Sequence, residues 1–287
     1  MTKKNPTFTV VTVCYNAEKL ISETIESVKQ QTLHDYEYIL MDGGSTDSTL
    51  SIAEANKNDF LNLGINFIVV SEKDSGIYNA MNKAIKMAAG EWIIFMNCGD
   101  LFYSNNILEI VREQLKNNAC DILIGDIVIK NNDLYKYKKA KFIDLHHEID
   151  ICHQSTFTKT ALLKERNYAE KYKLAADREF FCHVVASGGK VFVWHMPLAI
   201  YLEGGASAGA KGHKEILDIN DKYGVPYEYI ELTSAEENGL SLIKKIKIKL
   251  HKYIPTTILE HHHRRKMLKN GWKLEPPRKD LSNDREY

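Results

Sequence analysis

Three aspartates that follow strand-like runs lie within two residues of a glycine: Asp42 in Asp42-Gly43-Gly44, Asp74 in Asp74-Ser75-Gly76, and Asp100 in Gly99-Asp100. Glycine lets a ligand or another chain segment come close to the backbone, and a carboxylate there can accept hydrogen bonds or hold a hard cation. The ordinary explanation for any single aspartate after a strand is a turn or a helix cap. Three of them on a common edge favour a shared site. Whether they share one depends on the elements that carry them.

The first hundred residues alternate strand and helix patterns. Phe8 to Cys14 is a short β-branched run suited to a strand buried on both faces. Glu18 to Gln31 has helical spacing, with Leu20, Ile21, Ile25 and Val28 apolar. Tyr36 to Met41 predicts a second strand, and Thr46 and Asp47 can cap a helix starting near Ser48. Ile65 to Val70 predicts a third strand, Gly76 to Ala89 a helix closed by Gly90, and Trp92 to Met96 a fourth strand. Such alternation predicts a mainly parallel sheet flanked by helices, an α/β fold whose ligands sit beyond the carboxyl ends of the strands. Tyr15-Asn16, Asp42 to Gly44, Asp74 to Gly76 and Asn97 to Asp100 all fall at those ends. The second half is less regular. Strands are expected at Asp121 to Ile129 and Val191 to Trp194, a pairing segment at Tyr135 to Phe142, a helix at Arg178 to Ser187, and a flexible loop at Gly204 to Ser207.

The strings Tyr15-Asn16, Asp42-Gly43-Gly44-Ser45-Thr46-Asp47-Ser48-Thr49, Asp74 to Ala84 and Asn97-Cys98-Gly99-Asp100 occur in the order seen in family 2 glycosyltransferases. The chain resembles the bacterial branch that builds exopolysaccharide, capsule and O-antigen chains, densely over residues 8–100 and more loosely to about 207. The resemblance implies a GT-A, Rossmann-like fold over residues 1–210, with a nucleotide-binding half (about 1–100) and an acceptor half (about 101–210). Residues 211–287 would form a helical, basic C-terminal extension. It also implies that Thr12, Tyr15 and Asn16 line the base and ribose, and that Asp42 accepts a hydrogen bond from the base, which suits the imide N–H of uracil. Asp74, Gly76 and Asn82 belong to a segment closing over nucleoside and phosphates, and Asn97 joins that donor site.

Asp100 matches the last acid of the family's metal signature, implying Mg²⁺ or Mn²⁺. Many relatives carry Asp-x-Asp there, whereas this chain has Asn97-Cys98-Gly99-Asp100 and hence one carboxylate. The metal is therefore expected to arrive with the nucleotide and to neutralise charge on the departing diphosphate. Asp177 matches the family's catalytic base, which takes the proton of an acceptor hydroxyl during inverting, in-line attack. Asp177 could equally serve only its own helix N-terminus, and Glu179 is a rival base two residues on. His153, in a His-Gln pair that also fits the family, could touch metal or diphosphate, or be hydrogen-bonded inside a core. His146-His147-Glu148 lacks zinc-protease spacing, and His261 to His263 beside Arg264-Arg265 suits a solvated basic face.

Composition agrees with an ordinary soluble globular protein: 44% hydrophobic and 26% charged residues are enough for a sizeable core. Five scattered cysteines with no C-x-x-C pair point to a reducing compartment. No apolar run reaches a membrane span and no signal-peptide pattern is present, so a cytoplasmic location is expected. The net charge of zero conceals a basic tail: from Lys244 to Lys273, ten lysines and arginines face the single acid Glu260. Leu242, Ile243, Ile246, Leu250, Tyr253 and Ile254 share one helical stripe there, which suits an anionic membrane surface or packing on the domain.

The expected activity is transfer of a sugar from a nucleotide-sugar donor, UDP-sugar favoured, to a glycan acceptor carried on a polyprenyl diphosphate. The protein would act as a peripheral protein at the cytoplasmic face of the inner membrane. Nucleic acid is not an expected partner, since the tail lacks interleaved aromatics. A nucleotidyltransferase would want a glycine-rich basic loop that Val11 to Asn16 lacks, and a dinucleotide oxidoreductase a G-x-G-x-x-G after the first strand. A catalytically silent nucleotide-sugar-binding or scaffold protein is the alternative of a different class.

Overall fold

The computed structural model describes residues 5–147, 149–204, 210–226, 267 and 271–273. Its first half runs β1 (Phe8–Cys14), α1 (Ile21–Lys29), β2 (Tyr36–Asp42), α2 (Thr49–Ala55), α3 (Lys57–Asn62), β3 (Asn66–Ser71), α4 (Ile77–Met87) and β4 (Trp92–Phe95). The second half adds β5 (Leu101–Phe102), α5 (Ile107–Asn117), β6 (Ile122–Asn131), β7 (Leu134–Lys138), a 3-10 turn at His153–Ser155, β8 (Thr156–Lys159), α6 (Thr160–Glu165), α7 (Ala176–Ala186), β9 (Val191–Leu202) and α8 (Ala210–Tyr223). The sheet order is β3-β2-β1-β4-β8-β6-β9-β5, with β7 paired to β6 off that path. Its longest ladders, β1 with β2 and β6 with β9, are parallel, while β8, β7 and β5 run antiparallel to their neighbours.

Why β1 and β2 sit centrally follows from their residues: every position in both is buried. Alternation then divides them between two cores. Val11, Val13, Ile39 and Met41 face α4 and α7, and Phe8, Val10, Tyr38 and Leu40 face α1, α3 and α5. One charged residue interrupts β2. Glu37 is buried, and its Oε1 accepts from the Thr9 hydroxyl (2.7 Å) and from the N–H groups of Ala89 and Gly90. It thereby fixes the turn from α4 into β4, where a carboxylate without those donors would be costly.

The sequence reading and the structure diverge mostly after Asp100. The strand expected to stop at Trp194 continues to Leu202, past Pro197, because the β6–β9 register shifts at Gly125 and Asp126 and absorbs the proline in an irregularity. Tyr135 to Phe142 does pair, as β7, over its first residues. α7 starts two residues before the expected Arg178, which places Asp177 in its first turn. α8 packs on α7: Glu215 accepts from the N–H groups of Lys173, Leu174 and Ala175, and Tyr172 donates to Asp218 (2.7 Å). The loop expected at Gly204 to Ser207 lies outside the described residues beyond Gly204, as do the stripe from Leu242 to Ile254 and His261 to His263.

Gly90 has no room for a side chain, since a Cβ there would lie 2.4 Å from the Thr9 nitrogen and 2.5 Å from the Phe8 carbonyl carbon. Gly90→Ala must push main chain from main chain, and its urea midpoint is expected to fall by the equivalent of about 1–3 kcal/mol. An unchanged midpoint would show that β1 and β4 can separate freely.

Candidate active site

The ends of β1, β2 and β3 are sewn together by polar contacts. Asn16, with a left-handed φ of 47°, accepts from the Thr46 N–H (2.9 Å), while its own N–H donates to the Ser45 hydroxyl (2.8 Å). Asp47 accepts from Glu18 N–H and Thr49 N–H, so it does serve the start of α2. Asp42 is buried and accepts from the N–H and hydroxyl of Ser45 and from the Ser71 hydroxyl (2.5 Å). A Cβ at Gly43 would lie 2.7 Å from Asp74 Oδ2 and 3.4 Å from the Tyr15 ring, so the lack of a side chain there lets both side chains approach the backbone. Asp74 in turn accepts from the Gly76 N–H (2.9 Å), where φ is 133°. Tyr15 is 62% exposed, leaving its ring free to lie against a flat ligand.

A second group lies beyond β4. The Asp177 carboxylate accepts from the Tyr78 hydroxyl on one oxygen (2.7 Å) and pairs with His153 Nδ1 on the other (3.0 Å). His153 Nε2 accepts from the Asn97 amide (2.8 Å), which leaves the ring proton on Nδ1, facing Asp177. Burial pushes the Asp177 carboxyl up, but the His153 and Tyr78 hydrogen bonds and the Arg178 N–H outweigh it and hold it below the usual carboxylate range. For His153, burial works against the charge, and Asp177 reverses the effect and raises it. Asp177 is therefore an ionised, partly exposed carboxylate at neutral pH, with its orientation set from both sides.

Gln154, the next residue of the same turn, donates to Asp100 Oδ2 (2.9 Å), and the Leu202 N–H donates to Oδ1 (3.1 Å). Asp100 is only 4% exposed, and burial, opposed by those two donors and by nearby His153, pushes its carboxyl up to about 6. The Asn97 side-chain oxygen is buried and has no hydrogen-bond partner among the described residues. Among the described residues no three His, Cys, Asp or Glu side chains converge as a metal cage. The donors at this turn are oxygens: the remaining lone pairs of Asp100 and the orphaned Asn97 oxygen. They fit a hard cation that takes most of its shell from phosphate and water.

The sequence model of the family described as Glycosyl transferase family 2 matches residues 9–187, more than half of the chain. The chain belongs to this family. Its family 2 relatives include the PGL/p-HBAD biosynthesis glycosyltransferase of Mycobacterium tuberculosis, 30% identical over 217 residues that span 74% of this chain and 83% of that protein. The poly(ribitol-phosphate) beta-glucosyltransferase of Bacillus spizizenii is 32% identical over 199 residues, 64% of this chain and 30% of that protein. In fold, the chain superposes on S. aureus TarS 1–349 in complex with UDP with a TM-score of 0.61 at 20% identity, covering 83% of this chain and 76% of that one. It also matches the mannosyltransferase PcManGT of Pyrobaculum calidifontis, in complex with GDP-Man and Mn²⁺, with a TM-score of 0.59 at 16% identity, covering 76% and 64%. The fold of this family 2 glycosyltransferase is GT-A.

Two side chains expected at the donor site are engaged by the scaffold. Thr12 is fully buried in β1, its hydroxyl donating to the Met96 carbonyl (2.7 Å) and accepting from Tyr38 (2.9 Å), so its side chain binds the sheet together and does not face a nucleotide. The Asn82 amide donates to the Tyr168 carbonyl (3.0 Å) and Glu170 (3.1 Å) and accepts from the Tyr168 N–H (2.9 Å), so it clamps the 168–170 segment to α4. Glu179 is no base either. It is buried and bound by Arg166 (2.6 Å), Lys222 (2.6 Å) and Tyr223 (2.8 Å), which ties α8 to α7. The surface reading of His146 and His147 agrees with their exposure beside Asp144. Two partners were not singled out from the sequence. Gln154 and Tyr78 lay inside the quoted strings, and only the fold shows which acids they hold.

Because the Asp100 pKa is raised on folding, the folded protein holds more protons there than the unfolded chain. That contribution to metal-free stability is full below about pH 4 and is lost as the pH rises through about 6. Asp100→Asn keeps an acceptor for the Leu202 N–H without the buried charge. In EDTA at pH 7 it is expected to unfold at higher urea, by a free energy on the order of 2 kcal/mol, with the gain shrinking towards pH 4. A lower midpoint at both pH values would mean that the carboxylate stabilises the fold.

Proposed function

We propose that this family 2 glycosyltransferase is an inverting enzyme that transfers a sugar from a UDP-sugar to a hydroxyl of a lipid-linked glycan. The observation that carries the reading is Asp177: an ionised carboxylate, oriented by Tyr78 and His153, on the wall of a cavity of about 810 Å³. A neutral hydroxyl is a poor nucleophile, and Asp177 accepts its proton as the oxygen attacks the anomeric carbon. The bond from that carbon to the diphosphate breaks on the opposite face, UDP leaves, and the configuration inverts. Asp177 then carries the proton until solvent removes it.

Donor recognition falls to the sewn edge. Asp42 accepts the uracil imide N–H, Tyr15 lies against the base, Asn16 shapes the loop, and Asp74 with Gly76 closes over the nucleoside. The UDP-bound fold neighbour supports uridine at this place. Asp100 and Asn97 would hold Mg²⁺ or Mn²⁺, and such an ion, when bound, neutralises charge developing on the diphosphate. The glycolipid and wall-polymer names of the relatives support a surface-glycan acceptor. Among the described residues no helix is long and apolar enough to cross a membrane. The basic segment from Lys244 to Lys273 supports attachment at the cytoplasmic face of the inner membrane through anionic lipid.

Calorimetric titration of UDP, GDP and dTDP with and without Mn²⁺ tests the donor, with UDP alone expected to bind and to require the ion. Asp177→Asn is expected to keep UDP affinity and to lower transfer by about two orders of magnitude or more. Transfer near the wild-type rate would remove Asp177 as base, and binding of no nucleotide would favour a silent scaffold.

The tail is testable in the full-length chain. Replacing Lys244, Lys245, Lys247 and Lys249 by Gln is expected to reduce sedimentation with vesicles containing phosphatidylglycerol, while UDP affinity stays unchanged. Undiminished sedimentation would remove the tail from membrane attachment.

A further inference from the structure

The cavity that holds Asp177 and His153 is unusually cationic on its other walls. Lys136, Lys138, Lys139 and Lys141, from β7 and the segment after it, line it together with Arg178 of α7. Its acids are already engaged: Asp150 pairs with Lys138 (2.6 Å), and Asp177 with His153. Lys136 and Lys139 are exposed, and no acid pairs with either among the described residues. Arg178 is half-buried and spends three N–H groups on neutral oxygens, two on Asn220 Oδ1 and one on the Ile149 carbonyl. Two of its five donors remain, with no carboxylate in ion-pair contact among the described residues. A half-buried guanidinium and two unpaired ammonium groups around one cavity are short of negative charge, and the contents of the cavity can supply it.

We propose that the acceptor bears a phosphate ester close to its reacting sugar, and that Lys136, Lys139 and Arg178 bind that phosphate while Asp177 receives the hydroxyl proton. This rests on the reading of Asp177 as the base and assigns to named side chains the recognition of a phosphate on the acceptor. At about 810 Å³ the cavity has room for more than one sugar ring, so a saccharide and its phosphate fit together. The nucleotide's own diphosphate is assigned to Asn97 and Asp100, which adjoin His153 but do not themselves line this cavity, whereas Lys136, Lys139 and Arg178 do. Lysine ammoniums reach phosphate as point charges, and guanidinium adds directed donors. The phosphate can come from a lipid diphosphate anchor or from a phosphodiester polymer, and the chemistry at the lysines is shared.

The test measures binding of three probes to the full-length protein saturated with UDP and Mn²⁺, which occupies the donor diphosphate site. The probes are decyl-diphospho-N-acetylglucosamine, the neutral decyl N-acetylglucosaminide, and a short oligo(glycerol phosphate) bearing one N-acetylglucosamine. Wild type is expected to bind a phosphate-bearing probe at least about tenfold more tightly than the neutral glycoside at low salt, a margin that shrinks in high salt. In Lys136→Gln/Lys139→Gln, both exposed and foldable positions, the margin should fall below about threefold. Tighter binding of the lipid diphosphate identifies the anchor as the source, and tighter binding of the oligomer identifies the polymer; both support the proposal. Equal binding of charged and neutral probes by wild type, or a margin kept in the double variant, overturns it. UDP titration of the same proteins separates the two readings. Normal UDP binding without charge preference leaves the transferase and removes the phosphate-bearing acceptor. A charge preference lost in the double variant, in a protein that binds no UDP, supports the lysine site and removes the donor.

Discussion

Two neighbouring side chains on one turn hold the two carboxylates on which the site depends. His153 faces Asp177 and Gln154 faces Asp100, so both acids are tied to the same short turn. The sheet determines where that turn lies. β8 runs antiparallel to β4, with Ile93 opposite Thr158, which brings the start of β8 beside the end of β4. The turn at His153–Ser155 therefore lands next to Asn97. β5 runs antiparallel to β9, with Leu101 opposite Ile200, and the same logic brings the Leu202 N–H to Asp100. Antiparallel pairing in the second half thus delivers acceptor-side residues to the strand ends of the parallel first half.

That arrangement explains which parts could be read from sequence. β1 and β2 are buried on both faces, so their runs of β-branched, aromatic and aliphatic residues announce them, and Asp42 closes β2 directly. β5 has two residues and β8 has four, with sequence Thr-Phe-Thr-Lys, too short and polar for any periodicity to stand out. β9 contains His195 and Pro197, which read as a stop, and only the shifted register against β6 lets the strand continue. The acids of the site and His153 were legible, whereas Gln154, Tyr78 and the Leu202 N–H were not, because they lie 54 to 102 residues from the acids they hold.

Thr12 and Asn82 show the opposite failure. Both are polar residues in strings that resemble a nucleotide site, and both have their hydrogen-bonding groups occupied by the fold. A polar side chain in a motif can serve the ligand or the scaffold that shapes its pocket, and spacing does not distinguish the two. Burial with satisfied donors and acceptors does. Asp42 and Asn97 differ from them in a specific way: a carboxylate retains spare lone pairs after three donors, and the Asn97 oxygen has no partner among the described residues.

The electrostatics of the two acids diverge for the same local reason. Asp100 is buried, and its two side-chain partners, the Gln154 amide and the Leu202 N–H, are neutral, so desolvation prevails and its affinity for protons rises. Asp177 is less enclosed and has an ionisable partner, so the pair with His153 prevails and its affinity for protons falls. Two carboxylates pushed in opposite directions suit two different tasks. A carboxylate that is costly to leave charged and alone is one that gains by meeting a cation. A carboxylate already ionised at neutral pH is free to accept a proton, though its low basicity means transfer must be coupled to bond formation at the sugar, when the acceptor oxygen becomes acidic enough to give its proton up. The turn sets the ionisable partner against Asp177 and the neutral amide against Asp100. The order His153-Gln154 thus has a chemical meaning that neither residue carries by itself.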